Sequence, residues 1–145
     1  MRITTKRKHL MLNCSDVQSV QEGEDIAKKL KFTCSIRKNT DAIGLAHNQI
    51  GGTKNVYIAK LSTGWKYFYN ASIVDSSQEK YEHLEECMSY PNKSNVIKRC
   101  LWVVIRYLTK EGYKETKYFD LDACIHQHEI DHLNGYDIHN QRTIK

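Results

Sequence analysis

Residues 127–135 read QHEIDHLNG, with two histidines four residues apart and a glutamate directly after the first of them. Apolar residues around this stretch recur at helical spacing, so we predict a helix that ends at Gly135. Because four residues turn an α-helix by about 400°, His128 and His132 point the same way, about 6 Å apart along the axis. Both imidazoles can then reach one metal ion, and Glu129 is close enough to exchange a proton with a water on that ion.

The third metal ligand decides what kind of site this is. The HExxH pattern favours a metal site over two histidines that share a helix face by chance. In the longer pattern HExxHxxGxxH, Gly135 is in register, but Ile138 occupies the place of the third histidine and His139 comes one residue too late. The chain ends at Lys145, which leaves no room for a methionine turn or a downstream glutamate helix. We therefore expect the third ligand to come from upstream.

The N-terminal part of the chain predicts a first helix. Apolar residues recur at helical spacing over residues 17–37, and the N-cap is predicted near Ser15 or Asp16. Gly23 is the weak point of this helix, because glycine has a low helix propensity. Residues 39–41 then indicate a turn.

The middle of the chain predicts antiparallel strands. Residues 55–59 and 65–69 are rich in aromatic and β-branched side chains and flank a turn at residues 62–64. Residues 96–108 and 113–119 flank a Lys-Glu-Gly turn and predict a hairpin.

The hydrophobic period changes to 3.6 after this hairpin, and Asp120 or Asp122 is the predicted N-cap of the final helix. A helix, several antiparallel strands and a second helix that carries HExDH indicate an α+β fold rather than alternating βαβ units. A chain of this length can form one hydrophobic core, so we expect a single domain, residues 1–145.

Composition narrows the cellular setting. The formal charge of +5 comes from 22 basic and 17 acidic residues spread along the chain, so we expect no nucleic-acid partner. Five cysteines without a CxxC pair argue against a disulfide framework and a zinc ribbon. No apolar run approaches the ~20 residues of a membrane span or the ~7–15 of a signal-peptide core. We expect a cytoplasmic protein without membrane contact.

Two upstream stretches complete the metal-site pattern: residues 42–51, AIGLAHNQIG, and residues 85–91, EECMSYP. Together with QHEIDHL they resemble, in order, the motifs GxGLAAxQ, EGCLS and QHExDHL of the peptide deformylases. The resemblance implies that Cys87, His128 and His132 hold one divalent ion, with water in the fourth position. A thiolate with two imidazoles suits iron(II), zinc, nickel or cobalt better than calcium or magnesium, and we expect Fe(II) in the cell.

The resemblance also implies an activity, the removal of the formyl group from the N-terminal formylmethionine of nascent polypeptides. Glu129 would take a proton from the attacking water and pass it to the departing amine. The Gln49 side-chain amide and the backbone N–H of Met88 would stabilise charge on the formyl oxygen. Glu85 and Gln127 would orient ligands and loops.

The peptide substrate is expected to lie extended along a strand edge near Gly44, as in β-augmentation. The residues predicted to contact it are Ile43, Gly44, Leu45, Glu86, Leu121, Cys124 and Ile125. Among these, Ile43 and the three residues of the final helix are candidates for the slot that takes the methionine side chain, and plain core packing is the equal alternative.

Three residues depart from the family motifs: Ala42, His47 and Glu86. None replaces a predicted ligand, so we expect an active enzyme with a shifted preference, and we expect His47 to be exposed. The short chain is similar to the compact deformylases of some bacteriophages, which would act in the host cytoplasm. We expect a monomer, and the missing C-terminal extension weakens the case for ribosome contact.

Two other functions stay open at this point. One is a small HExxH metalloprotease that hydrolyses ordinary peptide bonds, although cysteine is not its usual ligand. The other is a structural metal site in a binding module, but structural zinc takes four protein ligands and would leave Glu129 without a role.

Overall fold

The computed structural model describes residues 3, 14–36, 42–87, 89–136 and 138. The elements are α1 (Val20–Ser35), β1 (Gly44–Ala46), a 3-10 helix (His47–Ile50), β2 (Val56–Leu61), β3 (Gly64–Tyr69), β4 (Ser72–Ser76), β5 (Lys80–Cys87), β6 (Tyr90–Cys100), β7 (Trp102–Thr109), β8 (Gly112–Phe119) and α2 (Asp120–Leu133). These eight strands pair antiparallel, in sheets of order β1-β2-β3, β4-β7-β8 and β5-β6. The predicted α+β fold is confirmed. Within the described ranges, no helix has the length and apolar content to cross a membrane.

The sheet β1-β2-β3 lies between the two helices. Ile58 on β2 belongs to the hydrophobic cluster that packs against α1, and its neighbours Tyr57 and Ala59 belong to the cluster that packs against α2. All three side chains are fully buried. Because β2 is buried on both faces, it fixes how the two helices sit on either side of β1.

The first helix begins later than the sequence predicts. Its N-cap is Ser19, whose hydroxyl accepts a hydrogen bond from the Glu22 N–H at 3.1 Å. The predicted caps are wrong, because Ser15 forms a β-bridge with Lys54 and the Asp16 carboxylate accepts from the Asn55 side chain. The predicted end at Arg37 and the turn at residues 39–41 lie outside the described residues.

Gly23 is a packing position rather than a weak point of α1. A Cβ atom added there would lie 2.5 Å from the nearest ring atom of Tyr69. The helix therefore approaches β3 closely at this residue.

Residues 55–59 and 65–69 form β2 and β3, as predicted. The strand predicted over residues 96–108 is divided instead, because β6 ends at Cys100 and β7 begins at Trp102 in another sheet. Between them, the Leu101 N–H donates to the Ser77 hydroxyl at 2.7 Å. No glycine or proline marks this break in the sequence.

The final helix starts at Asp120, after Phe119 at the N-cap position without a side-chain cap. The predicted caps are wrong, because the Asp122 carboxylate accepts from the N–H and hydroxyl of Ser62, at 2.9 and 2.7 Å. Asp122 thus ties α2 to the β2–β3 turn. Gly135, with φ at +85°, follows the helix end as predicted.

Replacing Gly23 with alanine is expected to destabilise the protein by about 1–3 kcal/mol, because the new methyl group overlaps the Tyr69 ring. A freely exposed helix glycine would respond in the opposite way, since alanine gains about 1 kcal/mol of helix propensity. The free energy of unfolding in urea measures the change, with Gln21→Ala on the exposed side of α1 as the control. A Gly23→Ala protein as stable as the parent, or more stable, would contradict this close packing.

Candidate metal centre

Cys87, His128 and His132 lie together although the cysteine precedes the nearer histidine by 41 positions (128 − 87). The hairpin β5–β6 carries Cys87 at the end of β5, and α2 carries both histidines. The Cys87 Sγ is 3.3 Å from the His132 Nε2, which is 3.2 Å from the His128 Nε2.

This arrangement fits one small metal ion. The three donor atoms lie within 4.8 Å of one another. Two donors bonded to the same tetrahedral ion at ~2.0–2.3 Å stand about 3.3–3.6 Å apart, close to the separations seen here. One thiolate and two imidazoles also leave a coordination position for a reactant, which is the pattern of catalytic rather than structural sites.

A buried ion-pair cluster positions the metal-binding group. The guanidinium of Arg99, on β6, donates to both carboxylate oxygens of Glu85 at 2.6 and 2.7 Å and to Asp131 on α2 at 2.6 Å. Glu85 Oε1 also accepts from His128 Nδ1 at 2.6 Å. With the proton on Nδ1, the Nε2 lone pair of His128 faces Cys87 and His132.

The charges in this cluster set the protonation states. Burial alone would raise the pKa of Glu85, but hydrogen bonds from Arg99 and His128 outweigh it and hold the pKa well below its ordinary value. Burial and the neighbouring His128 lower the pKa of His132. For His128, burial is outweighed by hydrogen bonds to Cys87 and Glu85, which raise its pKa to about 10, so a metal ion that binds there would displace the proton from Nε2. Glu85 is therefore a permanent acceptor for His128.

Glu129 lies in a different environment from Glu85. It is 3% exposed, and burial raises its pKa to about 7. Its Oε1 atom has no hydrogen-bond partner among the described residues. A carboxylate that titrates near neutrality suits a group that must both take and give a proton.

Gly44 leaves space for this carboxylate. A Cβ atom at Gly44 would lie 2.5 Å from Glu129 Oε2 and 3.1 Å from the Ile58 carbonyl oxygen. The sequence predicts that Gly44 allows the substrate backbone to approach the strand closely. In the structure, the group that lies close to Gly44 is the Glu129 carboxylate.

Gln49 reaches the group from the 3-10 helix. Its Oε1 accepts from the Ala46 N–H at 3.0 Å, and its Nε2 donates to Ser89 Oγ at 3.2 Å and to Cys87 Sγ at 3.5 Å. The amide therefore points toward the thiolate ligand. Met88, predicted to contribute its backbone N–H, lies outside the described residues.

The seven residues predicted to contact substrate differ in exposure. Leu45 and Ile125 are buried in the two hydrophobic clusters, so their side chains serve core packing. Cys124 is 2% exposed and contacts the Tyr81 hydroxyl. Ile43 and Leu121 are 46% and 52% exposed, and Glu86 is exposed on β5 beside Cys87.

The expectation of an exposed His47 is wrong. His47 is half-buried, its Nδ1 accepts from the Lys54 N–H at 3.1 Å, and its ring lies against Gly52. Burial lowers its pKa. His47 thus anchors the loop after the 3-10 helix.

Sequence reasoning missed Arg99 and Asp131. Arg99 is 2% exposed in a strand whose neighbour Lys98 is exposed, and no local pattern reveals which of the two faces inward. Gln127, expected to orient loops, exchanges two hydrogen bonds with the backbone of Cys100, at 2.8 and 3.0 Å. It fastens the end of β6 to α2.

Several known proteins are similar to this chain in sequence and in fold. The sequence profile of the family described as polypeptide deformylase matches residues 2–143. The peptide deformylase of Clostridium botulinum is 30% identical over 127 residues, covering 87% of this chain and 84% of that protein. The peptide deformylase of Wolbachia sp. subsp. Drosophila simulans is 31% identical over 138 residues, covering 82% and 76%.

Solved structures of peptide deformylases have a similar fold. The peptide deformylase of the Vibrio parahaemolyticus bacteriophage VP16T, in complex with actinonin, matches with a TM-score of 0.86 at 27% identity, covering 95% of this chain and 100% of that one. A class I type b peptide deformylase from Acinetobacter baumannii matches with a TM-score of 0.86 at 26% identity, covering 97% and 98%. The chain belongs to the polypeptide deformylase family. The family and the Cys/His/His group together indicate one bound metal ion.

Glu85→Gln is expected to weaken metal binding about 10- to 100-fold, because His128 loses its charged acceptor and Arg99 one of its two carboxylate partners. Competition with a chelator measures the metal affinity. Glu82→Gln, an exposed position on the same strand, is the control and should bind metal as the parent does. Equal metal affinity in a folded Glu85→Gln protein would show that this cluster does not position the ligands.

Proposed function

We propose that this protein removes the formyl group from the N-terminal formylmethionine of new polypeptides and releases formate and a free amine. The observation that carries the proposal is the group of Cys87, His128 and His132 beside a buried glutamate, Glu129, one oxygen of which has no hydrogen-bond partner among the described residues. The family relationship and the actinonin complex of the phage relative support it.

Cys87, His128 and His132 would hold the metal ion. An ion bound there supplies Lewis-acid chemistry, polarising the formyl oxygen and making water more acidic. We propose iron(II) as the ion in the cell. Zinc, nickel and cobalt suit the same donors, because a thiolate and two imidazoles do not select strongly among these metals.

Glu129 is the proposed proton carrier. It takes a proton from the attacking water and gives it to the departing amine, and its pKa of about 7 serves both directions. The Gln49 amide, which already points toward Cys87, stabilises the negative charge that builds up on the formyl oxygen. The backbone N–H of Met88 is the proposed second donor.

The edge of β1 that no described strand covers is the proposed docking site for the peptide. β1 lies at one side of its sheet, and the Ile43 carbonyl accepts from the Lys60 N–H on β2 at 2.7 Å. Because backbone groups alternate between the two edges of a strand, those of Gly44 point toward the free edge. An extended peptide can pair with them by β-augmentation.

The methionine side chain would enter on the α2 side of this edge. There, Leu121 is exposed, and the buried Cys124 and Ile125, which precede His128 by four and three residues on α2, would close the inner end of the slot in addition to packing in the core. Ile43 and the backbone of Leu45 would contact the peptide at β1. Glu86 would lie at the rim and alter its charge.

We also propose a cytoplasmic location, in the host cell if the protein is viral, a monomeric state and a single catalytic domain over residues 1–145. The charge of +5 is spread along the chain and does not form a basic cluster typical of nucleic-acid binding. We therefore propose that the protein recognises its substrate through the peptide site and binds no nucleic acid. Contact with the ribosome is a further proposal, which does not follow from the peptide site.

Hydrolysis of ordinary peptide bonds is disfavoured, since a cysteine ligand is unusual for HExxH proteases and the family relationship points elsewhere. Incubation with formyl-Met-Ala-Ser and with acetyl-Met-Ala-Ser separates the two activities. After loading with iron, nickel or cobalt, formate and free amine should arise from the formyl peptide only.

Glu129→Gln should lower kcat about 10²- to 10⁴-fold while the protein keeps its metal, because only the proton carrier is lost. Cys87→Ala should lose both the metal and the activity. Formate release and metal content are measured on the same samples. Absence of formate from the loaded parent protein, or full activity in Glu129→Gln, would reject the assignment.

A further inference from the structure

An open groove of about 390 Å³ lies beside the start of β1, on the side of the sheet that faces α1. Its walls include Lys31 from α1, Lys60 from β2 and Trp65 from β3, and its floor reaches Ile43. None of these residues belongs to the metal centre. The groove therefore needs a separate explanation.

The groove is continuous with the proposed peptide edge. Lys60 pairs with Trp65 across β2 and β3, and the Ile43 carbonyl accepts from the Lys60 N–H. Ile43, Lys60 and Trp65 thus form a row across the sheet on one face. Leu45, two residues after Ile43, packs in the cluster against α1, which places the row on the α1 face.

The following step rests on the proposed function. The 3-10 helix that follows β1 carries Gln49 to the metal centre, so a peptide with its formyl end there runs antiparallel to β1, past Gly44 toward Ile43. Gly44 faces α2, as its contact with Glu129 shows. If the methionine side chain of the peptide lies on the α2 face, the side chain of the next peptide residue lies on the opposite face, because side chains alternate along a strand. That opposite face is the one that carries the groove.

The groove is positively charged. Among its described lining residues, two are lysines and none is acidic. Within the described ranges, neither Lys31 nor Lys60 forms an ion pair with a carboxylate. The Lys31 ammonium lies 4.9 Å from the centroid of the Trp65 ring.

We propose that this groove is a subsite for an acidic side chain at the second residue of the formylated peptide. An added strand at the β1 edge lies two strand spacings, about 10 Å, from β2. A glutamate from the peptide and Lys60 from β2 extend toward each other across that distance, and Ile43, which lies between them in the row, offers an apolar surface to the glutamate methylenes. The shorter aspartate reaches less far.

Turnover of formyl-Met-Glu-Ser, formyl-Met-Gln-Ser and formyl-Met-Lys-Ser by the metal-loaded protein tests the subsite. At low salt, kcat/KM for the glutamate peptide should exceed that for the neutral, isosteric glutamine peptide about three- to fivefold, mainly through KM. The lysine peptide should be the poorest substrate. Added salt should reduce these differences, because the lysines are close to solvent.

The Lys31→Gln/Lys60→Gln double variant should hydrolyse the glutamate and glutamine peptides equally well. Lys66→Gln is the matched control, since Lys66 is exposed next to Trp65 but pairs with Ala59 on the α2 face, and it should keep the preference. Equal rates for the two peptides in the parent protein, or a preference that survives in the double variant, would overturn the subsite. No turnover of any formyl peptide would instead reject the deformylase activity, and the subsite with it.

Discussion

The buried guanidinium of Arg99 holds together the two elements that carry the metal-binding group. It is 2% exposed and makes three hydrogen bonds to carboxylates, two to Glu85 on β5 and one to Asp131 on α2. Removing one partner of such a buried pair typically costs about 3–5 kcal/mol, because a charge is left without compensation. The ion pairs of Arg99 thus join the β5–β6 hairpin to α2, in addition to apolar packing.

This point of attachment sets the geometry of the site. Cys87 lies two residues after Glu85 on β5, so both side chains leave the strand on the same face, toward α2. Asp131 directly precedes His132, and Glu85 orients the imidazole of His128 at 2.6 Å. One arginine therefore controls the approach of the sulfur to both histidines. The same contact keeps Glu85 ionised, while burial raises the pKa of the neighbouring Glu129 to about 7.

Much of this arrangement can be predicted from sequence, because the relevant spacings are local. The helical period places His128 and His132 on one face, and the order of elements gives the α+β class. The sequence does not show that Arg99 is buried, because its side chain can be assigned to the core only when the β5–β6 register is known. The division of residues 96–108 into two strands was missed for a similar reason, because Leu101 is held by Ser77 from a distant segment. Both errors concern contacts that the tertiary structure supplies.

The convergence of one sulfur and two imidazoles on a single ion is the central claim, and X-ray absorption of the metal-loaded protein tests it most directly. The account predicts one metal per chain with one sulfur at about 2.3 Å, two imidazole nitrogens at about 2.0–2.1 Å and a further light-atom ligand from solvent. A spectrum without sulfur, or one that shows four protein ligands and no solvent, would contradict it.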